Sequence, residues 1–317
     1  MAAARRLARA LSLLGCCGFL AGPWVICQAG ALRYCDPPTE LNATQQDTLF
    51  RLGAVIKSAL DNSNQKLAVI ARSGLDLSRF GVRYSHAGLS LQASPNAPWS
   101  VRQLYYDCDA RQPRIFDQGI AGFLLGTGDP AIGYVSVVLL PSAESAALER
   151  TAQDNRQALR LLGTTYSANA YAFGLRYQNC NQWVAEMLAL AWGRLGEGDD
   201  PREQAQQWLQ TQGYTPTRFD IGNPLLMWLG GTLPWLHSDD HPPEDLAQQV
   251  FRVSMPASIE AFVQATVPGA RRIEFCHADR RIVIHRGWTP IAEGCLPGEH
   301  DVVISLDQGS GTADDTN

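Results

Sequence analysis

Charge is scarce in this sequence. Of its 317 residues only 18% are Asp, Glu, Lys or Arg, whereas 45% are hydrophobic. Intrinsic disorder needs the reverse balance, so the chain should fold around a core. A basic excess is missing too: 26 Lys and Arg stand against 31 Asp and Glu, a net charge of −5. Three of those arginines (Arg5, Arg6, Arg9) fall in the first 29 residues, which makes the remainder more acidic still. The electrostatic footprint of a nucleic-acid binder is therefore absent, and no nucleic-acid partner is expected. Past the N-terminus no apolar run reaches membrane-spanning length, and there are no internal repeats or long low-complexity segments. Gly126-Thr127-Gly128 and Gly230-Gly231 fit no phosphate-cradling loop.

What is present begins with an address. Arg5, Arg6 and Arg9 precede an apolar run from Ala10 to Ile26, followed by the small-residue cleavage candidates Cys27-Gln28-Ala29 and Ala29-Gly30-Ala31. This is the pattern of a secretory signal peptide over residues 1–29. A retained anchor is the alternative, although Gly15, Gly18, Gly22 and Pro23 interrupt the run. A periplasmic or secreted protein is expected, with a mature part that does not span a membrane.

Cysteines then become informative. Three of the eight (Cys16, Cys17, Cys27) lie in the signal, leaving Cys35, Cys108, Cys180, Cys276 and Cys295. In an oxidising compartment thiols tend to pair, and an odd number leaves one over. We expect Cys276–Cys295, closing a hairpin, and Cys35–Cys108, which leaves Cys180 as a thiol.

Apolar spacing predicts a helix within Thr39 to Asp61, carrying Leu49, Leu52, Val55, Ile56 and Leu60. Strands are expected at Leu67–Ala71, Gly81–Gln92, Trp99–Asp107 and Tyr134–Leu140, the last one buried and central. Alternation in the second strand puts Val82, Tyr84, His86 and Gly88 on one face. Helices are expected at Ala143–Leu162, Asn181–Trp192, Glu203–Gln212 and Ser258–Ala265, with two further strands at Arg272–Cys276 and Arg281–Arg286. The texture changes near Gly222, so we expect a core over 30–221 and a C-terminal extension over 222–308. That extension would hold a small sheet and a disulfide, with a disordered tail over 309–317.

Two segments carry chemistry. In Tyr177-Gln178-Asn179-Cys180-Asn181-Gln182-Trp183 the cysteine opens a helix, where unpaired N–H groups and the helix dipole favour a thiolate. In Arg83-Tyr84-Ser85-His86-Ala87-Gly88-Leu89 a histidine sits on a strand, with Gly88 leaving room for a substrate. A thiol with an imidazole as proton acceptor and then donor is the arrangement of Cys–His acyl chemistry. Each residue alone has a plainer reading, His86 as a hydrogen-bonded core residue and Cys180 as a small buried hydrophobe. Arg72, Asp76, Arg79 and Arg83 could bind an acidic group or form a solvated ion-pair surface. His237-Ser238-Asp239-Asp240-His241 with Glu244 and Asp245 has metal-ligand residue types on a proline-bearing loop, without metal-site spacing. No metal or other cofactor is expected.

His86-Ala87-Gly88 on a strand, a further strand, and later Asn179-Cys180-Asn181-Gln182-Trp183 on a helix resemble the circularly permuted NlpC/P60 hydrolases. Those include the lecithin:retinol acyltransferase-like enzymes of the papain-like superfamily. The resemblance covers roughly Leu67 to Gly193. Arg83–Gly88, Trp99–Tyr106 and Tyr177–Trp183 also resemble an uncharacterised bacterial exported family, domain of unknown function 2145, which brings no activity. The first resemblance implies an α+β fold in which a permuted papain-like antiparallel sheet packs on a Cys-bearing helix. It implies a thiol hydrolase or acyltransferase with Cys180 as nucleophile, His86 as base and then acid, and Gln103 in the slot that orients His86. Many relatives carry a His or an acid in that slot, and a neutral Gln stabilises an imidazolium less. The Cys180 backbone N–H, with Tyr84 as a lesser candidate, would serve the oxyanion. Expected partners are cell-envelope substrates, first a cell-wall peptide amide and second a lipid ester or amide. The alternative is a non-catalytic periplasmic binding module on the same fold.

Overall fold

Leu67 to Ala71 is apolar at every position, as suits a strand covered on both faces. In the computed structural model this run is β1 (Leu67–Arg72), buried along its whole length near the middle of an eight-stranded antiparallel sheet. The structure describes residues 40–195, 198, 200–223, 227 and 233–307. The expectations for the signal segment, Cys35, Gly230-Gly231 and the tail fall outside the described residues.

β1 is flanked by β2 (His86–Leu91) and β5 (Gly133–Leu139). Beyond β2 come β3 (Ser100–Asp107) and β4 (Gln112–Gln118), and beyond β5 come β8 (Arg271–Ala278), β9 (Arg281–Arg286) and β10 (Val302–Ser305). A separate pair, β6 (Thr217–Asp220) and β7 (Val250–Val253), completes the strands among the described residues. β4 went unforeseen because Pro113 breaks its pattern; as the sheet's edge strand it tolerates a residue without an N–H.

Alternation sorts the sheet's side chains onto two helical layers. One face presents Val69, Ala71, Ala87, Leu89 and Leu104 to α5 (Cys180–Gly193), which contributes Trp183, Val184, Met187 and Leu188. The other face presents Ile70, Val101, Val135 and Val137 to α1 (Ala43–Asp61) and the short α2 (Ile120–Leu124). With about 25 cal/mol stabilisation per Å² of apolar surface buried, these two layers are the main source of stability.

Three boundaries differ from the sequence pattern. The helix expected over Ala143–Leu162 is two helices, α3 (Ser142–Gln153) and α4 (Asn155–Arg160). Asp154 leaves helical geometry (φ −77, ψ 99), and its carboxylate accepts from the N–H groups of Arg156 and Gln157. The strand expected from Gly81 starts only at His86: a 3₁₀ turn at Ser78–Phe80 ends on left-handed Gly81 (φ 68). Tyr84 accordingly joins the α5-side core instead of sharing the face of His86.

The third difference concerns the C-terminal region. Its strands β8 and β9 do not form a small sheet of their own. β8 pairs with β5 from Gly133↔His277 to Leu139↔Arg271, so the main sheet runs through both parts of the chain. The physical reason is that β5, fully buried, needs partners for its N–H and C=O groups on both sides, and β1 supplies only one. Two further helices among the described residues, α6 (Pro201–Thr211) and α8 (Pro256–Thr266), pack against α5; a short α7 (Pro243–Ala247) precedes β7.

The disulfide Cys276–Cys295 is present, tying β8 to the turn Glu293–Cys295 beyond β9, with Cα atoms 5.8 Å apart. Cys108 is disulfide-bonded as well. No helix among the described residues is long and apolar enough to cross a membrane.

Candidate functional site

Cys180 is the first residue of α5. Asn179 caps the helix, its side-chain oxygen accepting from the Gln182 N–H at 2.6 Å and its amide nitrogen reaching the carbonyls of Ala168 and Ser254. The cap fixes the first turn, and the thiol of Cys180 lies buried there, at the positive end of a 14-residue helix. The next residue, Asn181, donates from Nδ2 to the carbonyl oxygen of Ser85 at 3.1 Å. One hydrogen bond thus joins the start of the cysteine helix to the residue preceding His86.

His86 opens β2 and is 2% exposed. Its Nε2 lies 2.7 Å from Gln103 Oε1. Gln103 in turn donates from Nε2 to Gln118 Oε1 at 3.0 Å, which fixes its amide so that the oxygen faces the imidazole. An amide oxygen only accepts, so this assigns the proton to Nε2 and leaves Nδ1 as the basic nitrogen. The expected His86–Gln103 pairing is thereby present. Gln118 lies on the unforeseen edge strand, and nothing in its own sequence neighbourhood marked it.

The imidazole packs on Tyr105 (ring centroids 5.0 Å) and Phe123 (5.9 Å), on the α2 side of the sheet. Cys180 belongs to the core on the α5 side. Both residues stand at the start of their elements, bridged by Asn181, with their side chains in different layers.

Arg72 pairs with His86 in register. Its guanidinium donates to Gly126 O and Tyr105 Oη and lies 5.3 Å from the Phe123 centroid. Burial first, and the Arg72 charge second, push the His86 pKa from 6.5 down to about 3, against a smaller upward pull from Gln103. Burial similarly lowers His277 to about 4, opposed by Asp129. Both imidazoles are neutral at pH 7, and the unfolded chain binds protons the native state refuses. Stability is therefore complete above about pH 6.5 and lost as pH falls toward 3, His86 alone accounting for about 5 kcal/mol at the acid end. Urea midpoints across this range should fall steeply in wild type and more gently in His86→Gln; parallel curves would contradict the assignment.

Several expectations find structural explanations instead. A Cβ on Gly88 would lie 2.5 Å from Val101 Cγ1 and 2.9 Å from Arg102 O, so this glycine admits β3 and not a substrate. The Tyr84 hydroxyl donates to Glu274 Oε1 and accepts from Arg272 Nη2 at 3.0 Å, within a buried ion network, which removes it from the oxyanion role. Arg83 is held by Glu274 and Glu293, Arg79 covers the Phe80 ring, and Asp76 accepts from Ser78 N–H, so these side chains serve the fold. In the loop with metal-ligand residue types, His237 stacks on Tyr177, and Asp240 accepts from Tyr171 N–H. His241 Nε2 lies 2.7 Å from Asn169 O. Among the described residues no group of three potential metal donors comes together.

One supporting network was missed. Glu186, fully buried in α5, receives Arg202 Nε at 3.1 Å, Gln206 Nε2 at 3.0 Å and Gln178 Nε2 at 2.5 Å. Arg202 also donates to the carbonyls of Leu175 and Tyr177, in the stretch leading to Cys180. A single acid inside the apolar run Trp183–Trp192 was the available signal.

Residues 59–263, more than half of the chain, match the family described as "Uncharacterized protein conserved in bacteria (DUF2145)". The chain belongs to this family. The matched region of the DUF2145 protein includes His86, Gln103, Cys180 and the Glu186–Arg202 pair, and stops before β8 to β10. The family description carries no activity. No curated protein and no solved structure matches the chain.

Proposed function

We propose that this DUF2145 protein is an exported cysteine-dependent amide or ester hydrolase, or acyltransferase, built on a permuted papain-like core. Cell-wall peptide amides are the first substrate class to test and lipid esters or amides the second. The observation that carries the reading is the relay Gln118–Gln103–His86, which makes Nδ1 the basic nitrogen of a histidine whose strand is tied to the Cys180 helix. The Cys276–Cys295 disulfide favours an oxidising compartment, in line with a signal peptide over residues 1–29 and a periplasmic or secreted location.

The mechanism follows from these groups. Nδ1 of neutral His86 takes the Cys180 proton as sulfur attacks the carbonyl carbon, and the Cys180 backbone N–H stabilises the oxyanion. Collapse expels the amine or alcohol, which leaves with the proton from His86. Water, or an acceptor alcohol or amine, then attacks the thioester while His86 again takes a proton, and the thiol is restored. With a neutral Gln103 partner and the Arg72 charge nearby, the resting imidazole of His86 is neutral and takes its proton during attack. This chemistry needs Sγ roughly 3–4 Å from Nδ1, so the two side chains, which lie in different layers in the free protein, must come to one side of the sheet in the substrate complex.

A second reading has its own support: both side chains are almost fully buried and sit in different layers, as two core residues of a binding module would. Mass spectrometry after reaction with p-nitrophenyl acetate separates the two. An acyl group on Cys180, absent in His86→Ala, is the hydrolase result. An unmodified Cys180 in folded protein returns the module.

A further inference from the structure

The last turns of α1 face strands β5, β8, β9 and β10 across a groove of about 420 Å³. Its sheet side offers little apolar surface, because Leu139, Ile273 and Ile284 lie buried beneath it. Its helix side is polar, with Ser58, Asn62 and Asn64 exposed along it. Asn62 Nδ2 donates to Ser58 O at 2.8 Å, and its Oδ1 has no partner among the described residues. The Asn64 side chain has none either. Positive charge comes from the sheet, at Arg271 and Arg286. Arg286 pairs with Ile273 in register and Arg271 is two residues from Ile273 on β8, so the two are diagonal neighbours on the groove's face of the sheet. Both are exposed, and among the described residues neither has an ion pair or hydrogen-bond partner. Asp61, the acid in the last turn of α1, is engaged by Lys57 and Trp99.

These features ask for different parts of one ligand. Two guanidinium groups within reach of each other suit a single carboxylate. The wall opposite is the C-terminal end of α1, where the dipole is negative and unpaired carbonyls favour neutral donors over an anion. Hydroxyl groups meet that need, and they also pair with Ser58, Asn62 and Asn64. The volume lies within the range of small-molecule sites. We infer that this groove binds a sugar acid, a polyhydroxylated unit with one carboxylate, its carboxylate at Arg271 and Arg286 and its hydroxyls along the end of α1. None of the residues invoked belongs to the Cys180–His86 pair, so the inference does not rest on the proposed chemistry.

The test is isothermal titration calorimetry of the full mature chain with glucuronate, galacturonate and gluconate, with glucose and acetate as the two halves of the ligand. Saturable one-to-one binding of at least one sugar acid is expected, at least tenfold tighter than glucose or acetate. Arg271→Glu/Arg286→Glu should weaken that sugar acid tenfold or more, with circular dichroism and Tm unchanged because both side chains are exposed. Should that variant misfold, Arg271→Gln/Arg286→Gln replaces it. Ser58→Ala/Asn64→Gly should weaken the same ligand about fivefold while leaving acetate unchanged; glycine suits position 64, where φ is 57. Cys180→Ala should bind as wild type. The inference is overturned if none of the three sugar acids binds saturably, if acetate or glucose binds as tightly as they do, or if either double variant keeps wild-type affinity.

Discussion

Arg202→Ala should cost the DUF2145 protein about 3–5 kcal/mol of stability, the largest loss expected from any single side chain outside the hydrophobic core. Glu186 is fully buried, and Arg202 is the one cation its carboxylate meets among the described residues. Removing the guanidinium leaves a charge in a low-dielectric interior with only Gln178 and Gln206 donating to it. It also strips hydrogen bonds from the carbonyls of Leu175 and Tyr177, loosening the approach to Cys180. Arg202→Met/Glu186→Leu removes both charges and should recover much of the loss, since the burial penalty disappears with the pair. Urea unfolding of the three proteins measures this. A single-variant loss below about 1 kcal/mol would mean that the pair is open to water.

Cys180→Ala should reduce turnover to background while leaving the fold intact. No other group in this account supplies a nucleophile, so the residual rate is that of binding and the oxyanion donor alone. His86→Ala should lower kcat/KM by about 10²–10⁴, the usual contribution of a general base. Gln103→Leu should have a smaller effect on rate but a distinctive one on the ring. Without the acceptor at 2.7 Å the imidazole loses its tautomer preference, and the folded-state pKa moves further down as the Gln103 hydrogen bond is lost. Gln103→Glu should move it up, because a carboxylate favours the imidazolium. NMR titration of His86 reads both changes, and a purely structural role for Gln103 would leave the ratio of tautomers unmoved.

The parts of this fold that could be read in the sequence were those set by local periodicity. β1 announces itself as an uninterrupted apolar run, and α5 by the spacing of Trp183, Val184, Met187 and Leu188 behind a polar Asn179 cap. Gln103 could be placed because it lies on the strand after His86. What escaped was set by distant partners. That β8 would join β5 depends on a pairing across some 130 residues of chain, which no local pattern encodes. Gly88 looked like room for a substrate because its neighbour across the sheet, Val101, could not be seen from sequence. The turn at Ser78–Gly81 took Tyr84 off the face of His86 and into the Glu274–Arg272 network, a change decided by one left-handed glycine. The layer each side chain enters at a strand's first residue was likewise beyond reach, and it bears most heavily on His86.

The central claim is that Cys180 is a nucleophile activated by His86, and the rate of its alkylation in the native protein tests that most directly. Under native conditions at pH 7.5, iodoacetamide should modify Cys180 in the wild-type protein within the time needed for the urea-unfolded chain. His86→Gln, folded to the same extent by circular dichroism, should react at least tenfold more slowly. Modification of Cys180 only after unfolding, with no dependence on His86, would contradict the account and leave both residues as parts of the core.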